Sequence, residues 1–146
     1  MPFLRNVAPF IKTPYKFSVA QKLFAGGYYA FGAFLDPTRG DFVAGLGDVT
    51  GENAAQSIVR KMRLSESGLF LLKEKPLLNC SNLVPDDLKQ MEEGSLGRLY
   101  LDYMEENGFS ADERDPVHYI RDPNAAYAVL RYRQVHDFWH VLCGLP

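Results

Sequence analysis

The chain has 146 residues, of which 47% are hydrophobic and 23% charged. This is typical of a soluble globular protein with one domain and a core of its own. Its two cysteines, Cys80 and Cys143, are too few for a disulfide framework and fit a reducing compartment. The net charge of −2 hides an excess of acid after residue 35, which argues against a nucleic-acid partner.

Residues 1–16 are predicted to form a basic N-terminal arm. All 18 acidic residues lie after residue 35, and the basic residues before that point are Arg5, Lys12, Lys16 and Lys22. Such a segment favours an anionic membrane surface or organelle targeting, and a short flanking arm is the alternative. Pro9 and Pro14 interrupt any amphipathic helix, so the segment is a poor transit peptide.

A helix is predicted from Phe17 to Leu35. Ser18 and Gln21 form a capping-box pattern at its start, and Asp36 followed by proline marks its end. No run of about 18–20 apolar residues, the length that spans a bilayer, occurs in the chain. The predicted helix carries a stripe of aromatic and apolar residues at helical spacing, which either core packing or contact with a membrane or lipid would explain. The stripe, and so the candidate lipid-facing set, consists of Phe17, Phe24, Tyr28, Phe31 and Leu35.

Residues 36–52 are predicted to form a turn and a loop. Their glycine-rich part, GLGDVTG, has neither the GxGxxG spacing nor the GK[ST] ending of phosphate-binding loops. A helix is then predicted over residues 52–64, and helix-permissive residues continue from there until Pro76. Further helices are predicted from Pro85 onwards and from Ser95 to Asn107, with a polar loop after Gly108. Almost no segment alternates between apolar and polar residues at every second position, as a strand would, so we predict an all-α fold. We expect a single-domain helical bundle with long loops that carries its metal motif on the last helix.

The last predicted helix carries the candidate chemistry. It begins near Asp122 and contains the segment HDFWH, with His136 and His140 four residues apart. Residues at that spacing share one helix face, so the two imidazoles can converge on one cation. Asp137 is either a third ligand or a residue that orients a histidine. A His–Asp–His cluster satisfied by hydrogen bonds alone is the alternative.

Two related motifs do not fit this segment. A zinc-protease helix needs glutamate as the base in HExxH, and Asp137 occupies that position. The HD phosphohydrolase pattern needs an upstream histidine, for which His118 is available, and a later aspartate, but the sequence ends six residues after His140 and none of the six is an aspartate.

Seven segments of the sequence together carry a resemblance to a known family. The most specific is RYRQVHDFWHVLCGLP near the C-terminus, and the others, in chain order, are LFAG, LDP, FVAGLGDVTG, LKEKP, GSLGRLY and DERDPV. Through these segments the chain, from about Phe17 to Pro146, closely resembles the ubiquinone (coenzyme Q) biosynthesis protein 4 homologue family. Residues 17–146 are therefore interpreted as a domain of this family.

The resemblance implies a divalent-metal site, with zinc or a similar cation. The family motif, HDxxH followed by a glutamate, places metal ligands at His136, Asp137 and His140 and the glutamate at position 152, beyond Pro146. We therefore expect the domain to be incomplete at its C-terminus. Gln134 departs from the glutamate that is usual in the family, which leaves one fewer acid near the site.

The resemblance also implies a lyase of ubiquinone biosynthesis. Such an enzyme removes the C1 carboxylate of 4-hydroxy-3-methoxy-5-polyprenylbenzoate and forms a 2-methoxy-6-polyprenylphenol, with the metal as Lewis acid. The expected setting is the matrix side of the mitochondrial inner membrane, as a peripheral membrane protein, a possible homodimer and a member of the coenzyme Q biosynthetic complex. The alternative function is a non-catalytic scaffold that binds a prenyl lipid and organises that complex.

Overall fold

The computed structural model describes residues 17–145, of which 67% are helical. Within this range there are helices and loops but no strand, so the all-α prediction is confirmed. The described helices are α1 (Val19–Leu35), α2 (Gly40–Thr50), α3 (Glu52–Met62), α4 (Glu66–Glu74), α5 (Pro85–Lys89), α6 (Leu96–Asn107) and α7 (Pro123–Cys143). The predicted basic arm, residues 1–16, lies outside the described residues.

Helix α1 begins and ends where its sequence predicts. The Ser18 hydroxyl accepts a hydrogen bond from the backbone N–H of Gln21, and the Gln21 side chain accepts one from the backbone N–H of Ser18. These two bonds satisfy N–H groups that the first turn of a helix leaves without partners. At the other end the N–H of Asp36 closes the last turn on Gly32.

The loop predicted over residues 36–52 is wrong, because most of it forms helix α2. This helix has no side-chain cap and includes three glycines, so its local propensity is poor. It packs against α1 at close range, since a Cβ atom on Gly45 would overlap the ring of Tyr29 and one on Gly32 would overlap Phe42. Close packing between two helices therefore outweighs the intrinsic preference of the segment.

The later helices follow their capping signals. Pro85 opens α5, the Ser95 hydroxyl caps α6, and Gly108 ends α6 in the left-handed conformation at φ 65°. Helix α4 ends on Lys75, a non-glycine residue at φ 45°. The predicted helices from Glu52, Pro85 and Ser95 are thus confirmed.

The chain divides into two compact units. The described part of the first comprises residues 17–75 and 115–130, and its most buried side chains include Ala55, Val117, Ile120, Tyr127 and Leu130. The second comprises residues 76–114 and 131–145. Its core is built from Leu88, Tyr100, Leu101 and Met104, with Phe138 and Val141 packed against them. The candidate metal residues belong to the second unit.

Candidate metal centre

The two histidines of the last helix lie side by side. The ring centroids of His136 and His140 are 4.6 Å apart, with the ring planes at 70°. They occupy successive turns of α7, which begins where the Asp122 carboxylate accepts hydrogen bonds from the backbone N–H groups of Asn124 and Ala125. The predicted juxtaposition of the two imidazoles therefore follows from an uninterrupted helix.

Aromatic rings surround the histidine pair. Tyr103 on α6 lies against His140, at 5.8 Å between ring centroids. On α7 itself, Tyr132 and Trp139 lie 6.1 and 6.2 Å from His136 and pack edge to face on one another. Tyr132 and Trp139 are both exposed, so the surface beside His136 presents aromatic faces to solvent.

The side chain of Asp137 is held by an arginine. Its Oδ2 atom accepts a hydrogen bond from Nη2 of Arg114 at 2.6 Å, and its Oδ1 atom lies 3.9 Å from Nδ1 of His136. The arginine and aspartate side chains are 10% and 23% exposed, so solvent screens this ion pair less than it would a surface pair. One oxygen of the carboxylate thus accepts the hydrogen bond from Arg114, and the other lies towards His136.

Arg114 has several further partners in the same unit. Its Nη1 atom donates to the backbone carbonyls of Leu78 and Ala111, and its Nη2 atom also donates to the Tyr100 hydroxyl at 3.3 Å. Sequence reasoning did not identify Arg114 as part of the site. It lies in a loop 23 positions before Asp137, and no spacing rule links a loop residue to a helix residue so far along the chain.

Tyr100 links Arg114 to the core of the second unit. Its ring stacks on Phe138 with centroids 4.1 Å apart and planes at 5°. Burial raises the pKa of Tyr100 above its usual value, although the hydrogen bond and charge of Arg114 act in the opposite direction. Burial, and then the charge of Asp137, raise the pKa of Tyr103 as well. Both hydroxyls therefore stay protonated at neutral pH.

The donor set fits a divalent cation in part. Two imidazoles about 4.6 Å apart at their centroids are compatible with two metal–nitrogen bonds of about 2.0–2.1 Å. Within residues 17–145, however, no group of three or more His, Cys, Asp or Glu side chains is arranged to hold a metal ion. The assignment of His136, Asp137 and His140 as metal ligands therefore stays a prediction.

Four of the five candidate lipid-facing residues are exposed on α1. Phe24 is 82% exposed and Tyr28, Phe31 and Leu35 are at least 60% exposed, whereas Phe17 packs on the ring of Tyr119. No residue of α1 is buried. None of the described helices has the length and hydropathy that a membrane span requires.

A second polar region lies in the first unit. The hydroxyls of Tyr29 and Tyr119 share a hydrogen bond of 2.9 Å, and burial together with this bond raises the pKa of Tyr29. A cavity of about 200 Å³ beside them is lined by residues that include Asp41, Asp115 and His118. None of the predicted metal or lipid-facing residues lines this cavity.

Comparison with known proteins gives consistent matches over most of the chain. Residues 12–146 match the sequence family described as coenzyme Q (ubiquinone) biosynthesis protein Coq4. No solved structure matches.

Individual relatives carry the name ubiquinone biosynthesis protein COQ4 or its homologue, mitochondrial. The Bombyx mori protein is 50% identical over 74% of this chain and 42% of its own length. The Yarrowia lipolytica protein is 43% identical over 80% of this chain and 45% of its own length. The Xenopus laevis protein is 39% identical over 88% of this chain and 46% of its own length. The chain thus matches less than half of each of these three relatives, and on the extent of these matches it belongs to the coenzyme Q (ubiquinone) biosynthesis protein Coq4 family.

Proposed function

We propose that this chain acts in coenzyme Q biosynthesis and holds part of a divalent-metal site for the C1-decarboxylation of a polyprenylated 4-hydroxy-3-methoxybenzoate. The supporting observation is the pair of neighbouring imidazoles, His136 and His140, in a chain of the Coq4 family. The names of its relatives support a mitochondrial location, and we propose peripheral attachment to the matrix face of the inner membrane, within the coenzyme Q biosynthetic complex.

The proposed reaction breaks the bond between ring carbon C1 and the carboxylate. Carbon dioxide leaves, and a proton takes its place on C1, so that benzoate and proton give phenol product and carbon dioxide. A bound divalent cation would act as a Lewis acid towards the carboxylate or phenolate of the substrate. The chain's own contribution is to hold that cation through His136 and His140 and to offer the exposed rings of Tyr132 and Trp139 to the aromatic substrate.

Zinc binding tests the site directly. We expect the purified chain to bind about one equivalent of zinc, and we expect His136→Ala and His140→Ala to lose it. His118→Ala is the matched control, because it removes the only other histidine of the chain and should leave the stoichiometry unchanged. Failure of the unaltered chain to bind zinc would contradict the proposed site.

Carbon dioxide release tests the reaction. The zinc-loaded chain should decarboxylate a short-chain prenylated 4-hydroxy-3-methoxybenzoate, and His140→Ala should reduce the rate by at least about a hundredfold if Lewis-acid catalysis supplies several kcal/mol. Equal rates for the two proteins would rule out metal chemistry at this site. Zinc binding without any release of carbon dioxide would favour the second candidate function.

That second candidate is a non-catalytic scaffold that binds a prenyl lipid. The observation that favours it is the exposed apolar face of α1, where Phe24, Phe31 and Phe34 are 82%, 62% and 83% exposed. Soluble monomers seldom leave a large contiguous apolar surface uncovered, and such surfaces often bind lipid or protein. A scaffold would need this face but would not need two imidazoles on one side of α7.

A further inference from the structure

Helix α6 leaves an apolar stripe partly uncovered. One side of this helix belongs to the core of the second unit. Away from that core, Leu96 and Leu99 are each 44% exposed, and the spacing of Leu96, Leu99 and Tyr103 places all three on one face. Phe109, two residues after the helix ends, is 55% exposed and lies against the ring of Tyr103. These four residues are named the α6 stripe.

The segment that contains the α6 stripe is strongly acidic. From Asp86 to Glu113 the chain has nine acidic and two basic residues. Both basic residues already pair with acids, Lys89 with Glu105 at 3.0 Å and Arg98 with Asp102 at 2.9 Å. The segment therefore keeps a large surplus of negative charge that its own basic residues do not neutralise.

Some of these acids lie beside the α6 stripe itself. Asp102 and Glu106 follow Leu99 by three and seven residues and so share its side of the helix. Glu92 and Glu93 lie in the turn that leads into α6. Both of these, and Glu106 as well, are exposed, and within residues 17–145 none of the three forms an ion pair. Exposed apolar side chains thus have unpaired carboxylates around them.

We propose that the α6 stripe is a docking surface for a basic amphipathic helix of a partner protein. In such complexes apolar residues at spacings of three and four on the docking helix pack against a hydrophobic surface. Lysine or arginine at the edges of that helix would pair with Glu92, Glu93 and Glu106, and complementary charge of this kind speeds encounter and selects the partner. Neither His136 nor His140 takes part, so the docking surface does not depend on a bound metal.

The acidic surroundings disfavour two other occupants of the α6 stripe. An anionic bilayer carries negative surface potential and would repel the surplus charge of the segment. A symmetric dimer would place the same acidic surface of a second copy against the first, and like charges facing one another cost free energy. A basic partner gains where these two lose.

The probe for this surface is a fluorescein-labelled helical peptide of lysine and leucine, with its leucines on one face at spacings of three and four. In a fluorescence anisotropy titration we expect the full chain to bind it about tenfold more tightly, or better, than an isomer of the same composition whose leucines are spread around the helix. Equal affinity for the two peptides would show that net charge alone attracts them and would overturn the inference. Absence of binding would overturn it too.

Two leucine substitutions locate the peptide on the stripe. Leu96→Ser with Leu99→Ser should weaken binding of the amphipathic peptide about tenfold or more, with helical circular dichroism unchanged, because both exposed apolar contacts are lost. Leu64→Ser with Leu69→Ser is the matched control, since both of these leucines are exposed and lie in the first unit. The control should bind like the unaltered chain, and an equal loss in both double variants would contradict docking at α6.

A charge reversal tests the acidic border without touching the apolar contacts. We expect Glu106→Lys to weaken peptide binding about two- to fivefold, and the difference should shrink as salt is raised. Glu66→Lys changes the net charge of the chain by the same amount at an exposed position of α4 and should have a smaller effect. Equal effects of the two reversals would show that the charge of the whole chain, and not this surface, determines the affinity.

Sedimentation equilibrium tests a second copy as the occupant. We expect Leu96→Ser with Leu99→Ser to leave the oligomeric state of the chain unchanged. A dimer that this double substitution converts into a monomer would show that the α6 stripe binds a second copy, which would overturn the docking of a basic partner. Zinc binding and carbon dioxide release report on the proposed function separately, so its failure and the failure of this surface are distinguishable.

Discussion

Gln134 is a buried polar side chain on α7, two residues before His136. It is 1% exposed. Within the described residues its Oε1 atom has no hydrogen-bond partner, and neither does the buried Nη1 atom of Arg131. A buried acceptor without a partner costs about 1–3 kcal/mol, because its bonds to water are lost on folding and not replaced. The unpaired Oε1 atom of Gln134 therefore lowers the stability of the folded chain.

Replacing Gln134 with methionine should stabilise the chain. Methionine has nearly the same length and volume, and it removes the amide group, whose Oε1 atom has no partner. We expect Gln134→Met to raise the free energy of unfolding by about 1 kcal/mol, measured by urea denaturation. Gln90→Met, at an exposed position, should change it by less than about 0.5 kcal/mol. A destabilised Gln134→Met would show that the amide has a bonding role.

Local spacing predicts part of the candidate metal centre and leaves the rest out. His136 and His140 can be placed together from the sequence because four residues make about one helical turn. The partner of Asp137 cannot be found this way, because Arg114 reaches it from the loop after α6. Only the folded second unit brings the guanidinium, the Tyr100 hydroxyl and the carboxylate into contact.

At the level of the helix, α2 shows how packing replaces propensity. The capping signals of α1, α6 and α7 are local, so their bounds follow from the sequence. Helix α2 has no side-chain cap, and its glycines predict a loop. Its stabilising contacts are with α1. The ring of Tyr29 on α1 lies against Gly45 of α2, and the ring of Phe42 on α2 lies against Gly32 of α1. A prediction based on single segments cannot include such contacts.

Substitutions at two glycines of α2 distinguish the effect of packing against α1 from the effect of helix propensity. A Cβ atom on Gly45 would overlap the Tyr29 ring, whereas one on Gly47 would meet nothing within 4 Å. We expect Gly45→Ala to lower the free energy of unfolding by about 1–3 kcal/mol through overpacking. Gly47→Ala should raise it by up to about 1 kcal/mol, since alanine is the better helix former. Urea denaturation followed by circular dichroism measures both, and changes of the same sign would contradict the packing argument.

Across the whole molecule, charge and apolar surface are unevenly distributed. The chain carries a net charge of −2, yet Arg5, Lys12, Lys16 and Lys22 precede its first acidic residue, Asp36. The same N-terminal part includes α1, whose apolar side chains are largely exposed. Basic and apolar residues in one stretch of the sequence suit the surface of an anionic bilayer, to which each basic residue near the lipid contributes about 1 kcal/mol.

We therefore expect the chain to co-sediment with vesicles of phosphatidylcholine and phosphatidylserine, and less so as salt is raised. The double substitution Phe24→Ser and Phe31→Ser should weaken vesicle binding about tenfold or more. Each substitution removes an apolar contact with the bilayer whose free energy is larger than about 1.4 kcal/mol, the amount that changes an affinity tenfold. Leu69→Ser with Phe70→Ser is the matched control on α4, where the two side chains are 51% and 58% exposed.

If both double variants sediment like the unaltered chain, α1 does not contact the bilayer. If the α4 variant loses binding as strongly as the α1 variant, exposed apolar area in general drives the association, and the face of α1 has no special role in it.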